Sequence, residues 1–237
     1  MPEHDFEMDP FQQIRLIKET QQPFFPNSMH CPTQAIALRP VQATLADATL
    51  LSEWRNKHYQ AFFSWIRPDE NEMLAWLEAY ARDDTQIIFI IEDRKGTSIG
   101  QVSLYQIDNK NRSAEFGGII KGTPRALSGS MYNGLMLLLT WAFNSLKLKN
   151  IHLEVFADNQ QALALYNDLG FHITEKTLYV PVTTNDSFVR WTNIADITLS
   201  EKTLQSQKEV YRMALSHEHL TPDISTTSIS LQETAHE

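Results

Sequence analysis

From Ile87 to Ile91 the chain reads Ile-Ile-Phe-Ile-Ile, an unbroken apolar run bounded by Gln86 and Glu92. A run this short and this rich in β-branched residues predicts a central strand buried on both faces. Upstream, Ala35 to Pro40 reads as a short strand stopped by its proline. A helix opens at Thr44-Leu45-Ala46-Asp47 and runs to about Trp54. A second spans about Glu70 to Arg82, with Met73, Leu74, Trp76, Leu77 and Tyr80 at helical spacing. Downstream, Ser98 to Ile107 alternates, the cluster Asn109-Lys110-Asn111-Arg112 marks a turn, and Ser113 to Ile120 returns, so three strands form an antiparallel meander. A long helix follows over about Ser128 to Leu146, with Leu135, Leu138, Leu139, Ala142 and Phe143 as its buried face. Ile151 to Phe156 alternates again, and a last strand resumes near Val210 to Leu215.

Three segments fall outside this rhythm. Residues 1–34 carry five prolines and one short helical stretch, Gln12 to Thr20, and read either as a flexible leader or as an arm packed on the domain or on a partner subunit. Residues 177–208 read as an insertion. Within it Val180, Val182, Phe188, Val189 and Trp191 form a hairpin about Thr184 to Ser187, building a dimer interface or a lid. Residues 217–237 are rich in Ser, Thr and Glu and are expected to be a flexible tail.

The segment Asn159 to Phe171, Asn-Gln-Gln-Ala-Leu-Ala-Leu-Tyr-Asn-Asp-Leu-Gly-Phe, follows the strand ending at Phe156. Ala162, Leu165 and Leu169 share one side of a short helix. Asn159 stands at its start and Gly170 at its end, so Asn159 and Tyr166 lie at one end of a sheet, where α/β proteins bind ligands. On Asn159, Ala162, Leu165, Tyr166, Gly170 and Phe171 the chain resembles the GNAT superfamily of acetyl-CoA-dependent N-acetyltransferases. The order of elements agrees over about residues 35–176. The resemblance implies an α/β (α+β) fold: a central mixed, mostly antiparallel twisted sheet flanked by helices. An N-terminal arm (1–34) and a C-terminal extension would flank a domain spanning 35–216.

Composition narrows the partners. With 42% hydrophobic residues a core is readily built, and the single Cys31 excludes an internal disulfide and a cysteine-type zinc site, so no metal is expected. The formal charge of -9 argues against nucleic acid and mildly favours cationic or neutral acceptors. No stretch approaches ~20 apolar residues, so no membrane span is expected. The N-terminus lacks a basic-then-apolar signal, which makes the cytoplasm the default location.

The resemblance assigns acetyl-CoA as co-substrate. Its pyrophosphate needs helix N-terminal N–H groups. The segment Arg125, Ala126, Leu127, Ser128, Gly129, Ser130, Met131 holds small residues, a cation and a serine able to cap. Of the family pattern Gln/Arg-x-x-Gly-x-Gly/Ala, which falls on Ala126, Gly129 and Met131, only Gly129 matches. Met131 stands where a small residue is usual. Pantetheine pairs in the family with the strand before this loop, here Gly117-Gly118-Ile119-Ile120. Adjacent glycines in a strand indicate close backbone approach, a bulge, or both. By resemblance Tyr166 protonates the leaving thiolate, Asn159 holds the pantetheine or the tyrosine helix, and a strand N–H near Ile119 serves the oxyanion. For the base, Glu115 stands beside the cofactor slot. His152, Glu154, His58 and bound water are alternatives.

The resemblance implies an acceptor pocket walled by the first two helices, their link and late-chain loops; here the link mixes aromatics and cations, and Arg55, His58, Tyr59, Trp65 and Arg67, with His152, are the expected acceptor-binding residues. Trp54-Arg55-Asn56, followed by Glu72, Trp76 and Leu77, looks like bacterial acetyltransferases acting on dTDP- or UDP-linked 3- or 4-amino-deoxysugars. It is also similar to relatives acting on polyamines or on ribosomal-protein N-termini. The amino-sugar nucleotide is the expected acceptor, and core packing is the competing explanation for at least one of Trp54, Trp65 and Trp76. Asp69, Glu70 and Glu72 suit a polyamine but are equally explained as a helix first turn. The non-enzymatic alternative is an acyl-CoA-binding sensor, and a homo-oligomer is compatible with every reading.

Overall fold

The computed structural model describes residues 8–20, 36–124, 126, 128–183, 188–198 and 207–220. Cys31, Arg125, Leu127 and the expected turn Thr184 to Ser187 lie outside them. In chain order the elements are α1 (Pro10–Thr20), β1 (Ala37–Pro40), α2 (Leu45–His58), α3 (Glu70–Tyr80), β2 (Ile87–Glu92), β3 (Ser98–Asp108), β4 (Ser113–Lys121), α4 (Ser130–Asn144), β5 (Asn150–Phe156), α5 (Gln160–Asp168), β6 (His172–Thr183), β7 (Val189–Asn193) and β8 (Lys208–Ser216). The strands form one sheet in the order β1-β2-β3-β4-β5-β8-β6-β7. Among the described residues only β4 and β5 pair in parallel; every other neighbouring pair is antiparallel.

The continuous apolar run becomes β2 because both of its faces are covered. Ile87, Phe89 and Ile91 enter the core beneath α4, while Ile88 and Ile90 enter the core beneath α2 and α3. Gly134 lets α4 approach β2 closely, since a Cβ there would lie 2.8 Å from the Ile91 side chain. The α4 helix is buried almost all round, from Leu135 through Phe143, and not along the single stripe that its sequence suggests. The reason is α1, whose Ile14 and Ile17 join the same core. The arm is further tied by Gln13 donating to the Ser145 carbonyl, by Lys18 donating to the Tyr80 and Asp83 carbonyls, and by an Arg15–Asp84 ion pair. Truncating fully buried Ile14 to Ala is expected to cost about 2–5 kcal/mol, read as a lowered urea midpoint.

Several boundaries move from expectation, each for a local reason. Helix α2 continues past Trp54 to His58, because nothing in Arg55-Asn56-Lys57 breaks it. Helix α4 starts at Ser130 instead of Ser128, since Gly129 in a left-handed conformation (φ 84°) turns the chain into it. Strand β6 runs unbroken to Thr183, pairing first with β8 and then with β7. Val180, Val182, Val189 and Trp191 do form a hairpin, and it is continuous with the main sheet. Of residues 217–237, His217–His219 form a short 3-10 turn and 221–237 lie outside the described residues.

Candidate active site

The parallel pairing of β4 and β5 is confined to Ser113–Glu115 against Asn150–His152. Beyond Glu115 the two strands part and leave a wedge. On the β3 side, β4 carries a bulge: the register passes from Gly117↔Ser103 to Ile120↔Gln101, so Gly118 and Ile119 together oppose Val102. Gly118 has φ 60°, and a Cβ there would lie 2.5 Å from Tyr105 Oη and 2.7 Å from Ser103 Oγ. The paired glycines are therefore explained on their β3 side by the bulge, while their β5 side lines the wedge. Ile119 and Ile120 follow, packed against the cores on opposite faces of the sheet.

The wedge opens toward the start of α4. Gly129 is the N-cap and, among the described residues, no side chain caps the helix, which corrects the expected capping serine; Ser128 precedes it in a turn and Ser130 is buried as the first helical residue. An uncapped first turn leaves N–H groups for an anion, as a pyrophosphate requires. Met131 does not fill the loop. Its sulfur packs inward, 2.6 Å from where a Cβ on Gly100 would stand. Gly100 on β3 thus makes room for the bulky residue that occupies a usually small position. Trp54 is buried and lies over Gly122, where a Cβ would meet its ring at 2.1 Å, so it is a core residue bracing the β4–α4 connection. Arg125 lies outside the described residues.

At the far end of β5, Asn159 caps α5 by accepting from the Ala162 N–H at 3.2 Å. Helix α5 ends on Gly170, at φ 92°, where a left-handed residue is favoured. Tyr166 is half-buried and sits edge-on to Phe171 at 6.1 Å, and Phe171 stacks on Phe116 of β4 at 5.6 Å. This aromatic chain fixes Tyr166 relative to the wedge. Burial pushes its phenol up to about 12, so it carries its proton at every physiological pH.

Glu115 and His152 are the last paired residues before the strands part. Glu154 lies on the same face of β5, opposite Arg212 of β8, and Tyr105 of β3 pairs with Glu115. Burial raises the Glu115 carboxyl, the Glu154 charge raises it further, and Arg212 opposes both. Burial lowers His152, Arg212 lowers it further, and Glu154 partly compensates, so the imidazole stays neutral near pH 7. Glu154 accepts from Tyr179 Oη at 2.9 Å, and Glu115 accepts from Gln106 Nε2 at 3.0 Å. Tyr105, Gln106, Tyr179 and Arg212 were not foreseen from sequence. The charged Arg212 was the available signal, since it interrupts the otherwise apolar run from Val210 to Leu215.

The aromatic link, expected to wall the acceptor pocket, adds itself to the sheet edge. Ser64 bridges to Arg190, the Trp65 N–H donates to the Val189 carbonyl at 2.7 Å, and the Trp191 N–H donates to the Phe63 carbonyl at 2.7 Å. Trp65 packs between Tyr59 and Trp191, and Phe63 packs on Phe156 and Tyr179. Arg55 donates to the Ser64 carbonyl at 2.6 Å and stacks over Phe62, and Arg67 lies over Tyr59. Both guanidinium groups thus brace the link. His58 ends α2 and is held toward neutrality by burial and by the Lys57 charge. Trp76 is exposed and stacks on Tyr80. Asp69 and Glu72 form a reciprocal cap on α3, which accounts for them without a ligand.

Residues 36–172 match the family model described as acetyltransferase (GNAT) domain. The spermidine N(1)-acetyltransferase of Vibrio cholerae is 31% identical over 137 residues, 54% of this chain and 70% of that protein. That of Escherichia coli K12 is 25% identical over 148 residues, 62% of this chain and 74% of that protein. The crystal structure of the Vibrio cholerae spermidine N-acetyltransferase in complex with CoA and spermine superposes with a TM-score of 0.59 at 22% identity. It covers 78% of this chain and 97% of that one. The match over residues 36–172 spans more than half of the sequence, and the chain belongs to the GNAT family of acetyl-CoA-dependent N-acetyltransferases.

Proposed function

We propose that this chain transfers the acetyl group of acetyl-CoA to a primary amine of a polyamine of the spermidine class. The observation that carries the reading is the pair of carboxylates, Glu115 and Glu154, on the sheet face beside the wedge. They suit a cationic acceptor, and the aromatic wall of Trp65, Phe63 and Trp191 suits its methylene chain. The similarity to spermidine N(1)-acetyltransferases supports the same class. The amino-sugar nucleotide expected from sequence loses part of its argument, because Arg55 is engaged with the link itself, donating to the Ser64 carbonyl and stacking over Phe62.

Acetyl-CoA supplies an acetyl thioester, which an uncharged amine attacks. The β4 backbone from Gly117 to Ile120 would align it, and the first turn of α4 would hold its pyrophosphate. An acceptor ammonium titrates near ~10 and must first lose a proton. Glu115 takes that proton, and its raised affinity for protons makes it a better base than an ordinary carboxylate. Tyr166 donates its phenolic proton to the departing sulfur, and the strand N–H near Ile119 stabilises the carbonyl oxygen as charge develops. Because Glu115 must be ionised to act, kcat/KM is expected to rise with pH through a limb above the usual carboxylate range.

A thiol-release assay tests the acceptor class, using spermidine, spermine, dTDP- and UDP-linked amino-deoxysugars, and a basic peptide with a free N-terminus. Turnover with the polyamines at the highest kcat/KM is the expected result. Turnover confined to a sugar nucleotide or to the peptide would overturn the polyamine assignment.

A further inference from the structure

Gln106 stands where the backbone favours glycine. The β3–β4 register slips between Tyr105↔Glu115 and Asp108↔Ser113, so Gln106 and Ile107 together oppose Ala114. Gln106 has φ 48°, in the left-handed region that any residue with a Cβ resists. Bulges whose first residue is left-handed carry glycine there by preference. The bulge sends Ile107 into the core, with its N–H donating to the Thr85 carbonyl at 2.8 Å. It also brings Gln106 to the face of Tyr105. The Gln106 side chain is exposed and contributes nothing to the core. What it does reach is the Glu115 carboxylate, through Nε2 to Oε2 at 3.0 Å. The other oxygen, Oε1, lies 3.8 Å from where a Cβ of Gly117 would stand, on the side where the wedge opens.

We infer that Gln106 is a positioning residue, holding one oxygen of Glu115 so that the other faces the acceptor amine. The inference rests on Glu115 being the base. A donor to the ionised carboxylate favours that form, so losing it makes Glu115 harder to ionise. The charged and titratable groups around Glu115 are His152 and Glu154 on β5, Arg212 on β8, Tyr105 on β3, Tyr179 on β6 and Arg55 on α2. All remain in place when Gln106 alone is changed.

The test is the pH profile of kcat/KM with spermidine for wild type, Gln106→Gly, Gln106→Asn, Glu115→Gln and Gln106→Gly/Glu115→Gln, together with each thermal midpoint. Gln106→Gly relieves the backbone, so its midpoint is expected at or above wild type. Its acid limb is expected to move up by about 0.5–1 pH unit, with kcat/KM on that limb lowered roughly three- to ten-fold. Gln106→Asn tolerates the backbone but is one methylene short, and is expected to follow the glycine variant; it carries the test if that variant folds poorly. Glu115→Gln is expected to lose the limb, after which removing Gln106 changes nothing further. A wild-type profile in both Gln106 variants, with the limb lost in Glu115→Gln, would overturn the role of Gln106 and leave the base assigned. A limb that survives in Glu115→Gln would overturn the base, and the role of Gln106 with it.

Discussion

Tyr166→Phe is expected to lower turnover by on the order of 100-fold and to leave acetyl-CoA affinity within about two-fold of wild type. The asymmetry follows from what the substitution removes. The ring stays, so the edge-on contact with Phe171 and the stack of Phe171 on Phe116 persist, and α5 keeps its place beside the wedge. Only the hydroxyl is lost, and with it the proton proposed for the departing sulfur. Because burial holds that phenol near a pKa of about 12, no limb from its ionisation enters the rate profile at physiological pH. Thiol release measured from about pH 6 to about pH 9, with CoA affinity from calorimetry, checks both halves. Unchanged turnover across that range would remove Tyr166 from its role as acid. A matched loss of affinity would make it a binding residue.

The second large effect is structural and comes from one of the paired glycines. Gly118→Ala is expected to destabilise the fold by about 2–4 kcal/mol, from strain at its positive φ and from overpacking. The added Cβ meets Tyr105 Oη and Ser103 Oγ at distances no carbon tolerates, so these side chains or the strand must shift. Tyr105 pairs with Glu115, so activity falls along with stability. Gly96→Ala is the control, because Gly96 also has a positive φ of 72° but a Cβ there meets nothing within 4 Å. It isolates the backbone contribution, about 1 kcal/mol. Urea unfolding of the two variants is the measurement. Equal losses would mean that the crowding at Gly118 is relieved at no cost.

The parts of this fold that were legible in the sequence are those where periodicity and burial coincide. Ile87 to Ile91 reads as a two-sided strand because it is one, and Asn159 to Phe171 carries its caps and its tyrosine in plain view. Helix α4 was misjudged as one-faced, since a sequence window cannot see that Ile14 and Ile17 return to cover its other side. The two glycines of β4 signalled a bulge, but its partners, Tyr105 and Ser103, depend on cross-strand register and are invisible along the chain. Met131 stands where a small residue is usual, and the space for it comes from Gly100, 31 positions earlier and on another strand. The cationic link invited a phosphate because the sequence shows Arg55 and Arg67 without the Ser64 carbonyl and the rings that occupy them. Long-range pairing hid the surroundings of Glu154, which meets Arg212 and Tyr179 only once β8 and β6 close beside β5.

The most direct test of the catalytic arrangement is the structure of the protein with CoA and spermidine bound. The pantetheine is expected along Gly117 to Ile120 in the wedge between β4 and β5, with its sulfur toward the Tyr166 hydroxyl and a spermidine amine facing Glu115. A pantetheine lying outside the wedge, or a spermidine whose amines all lie away from Glu115, would contradict it.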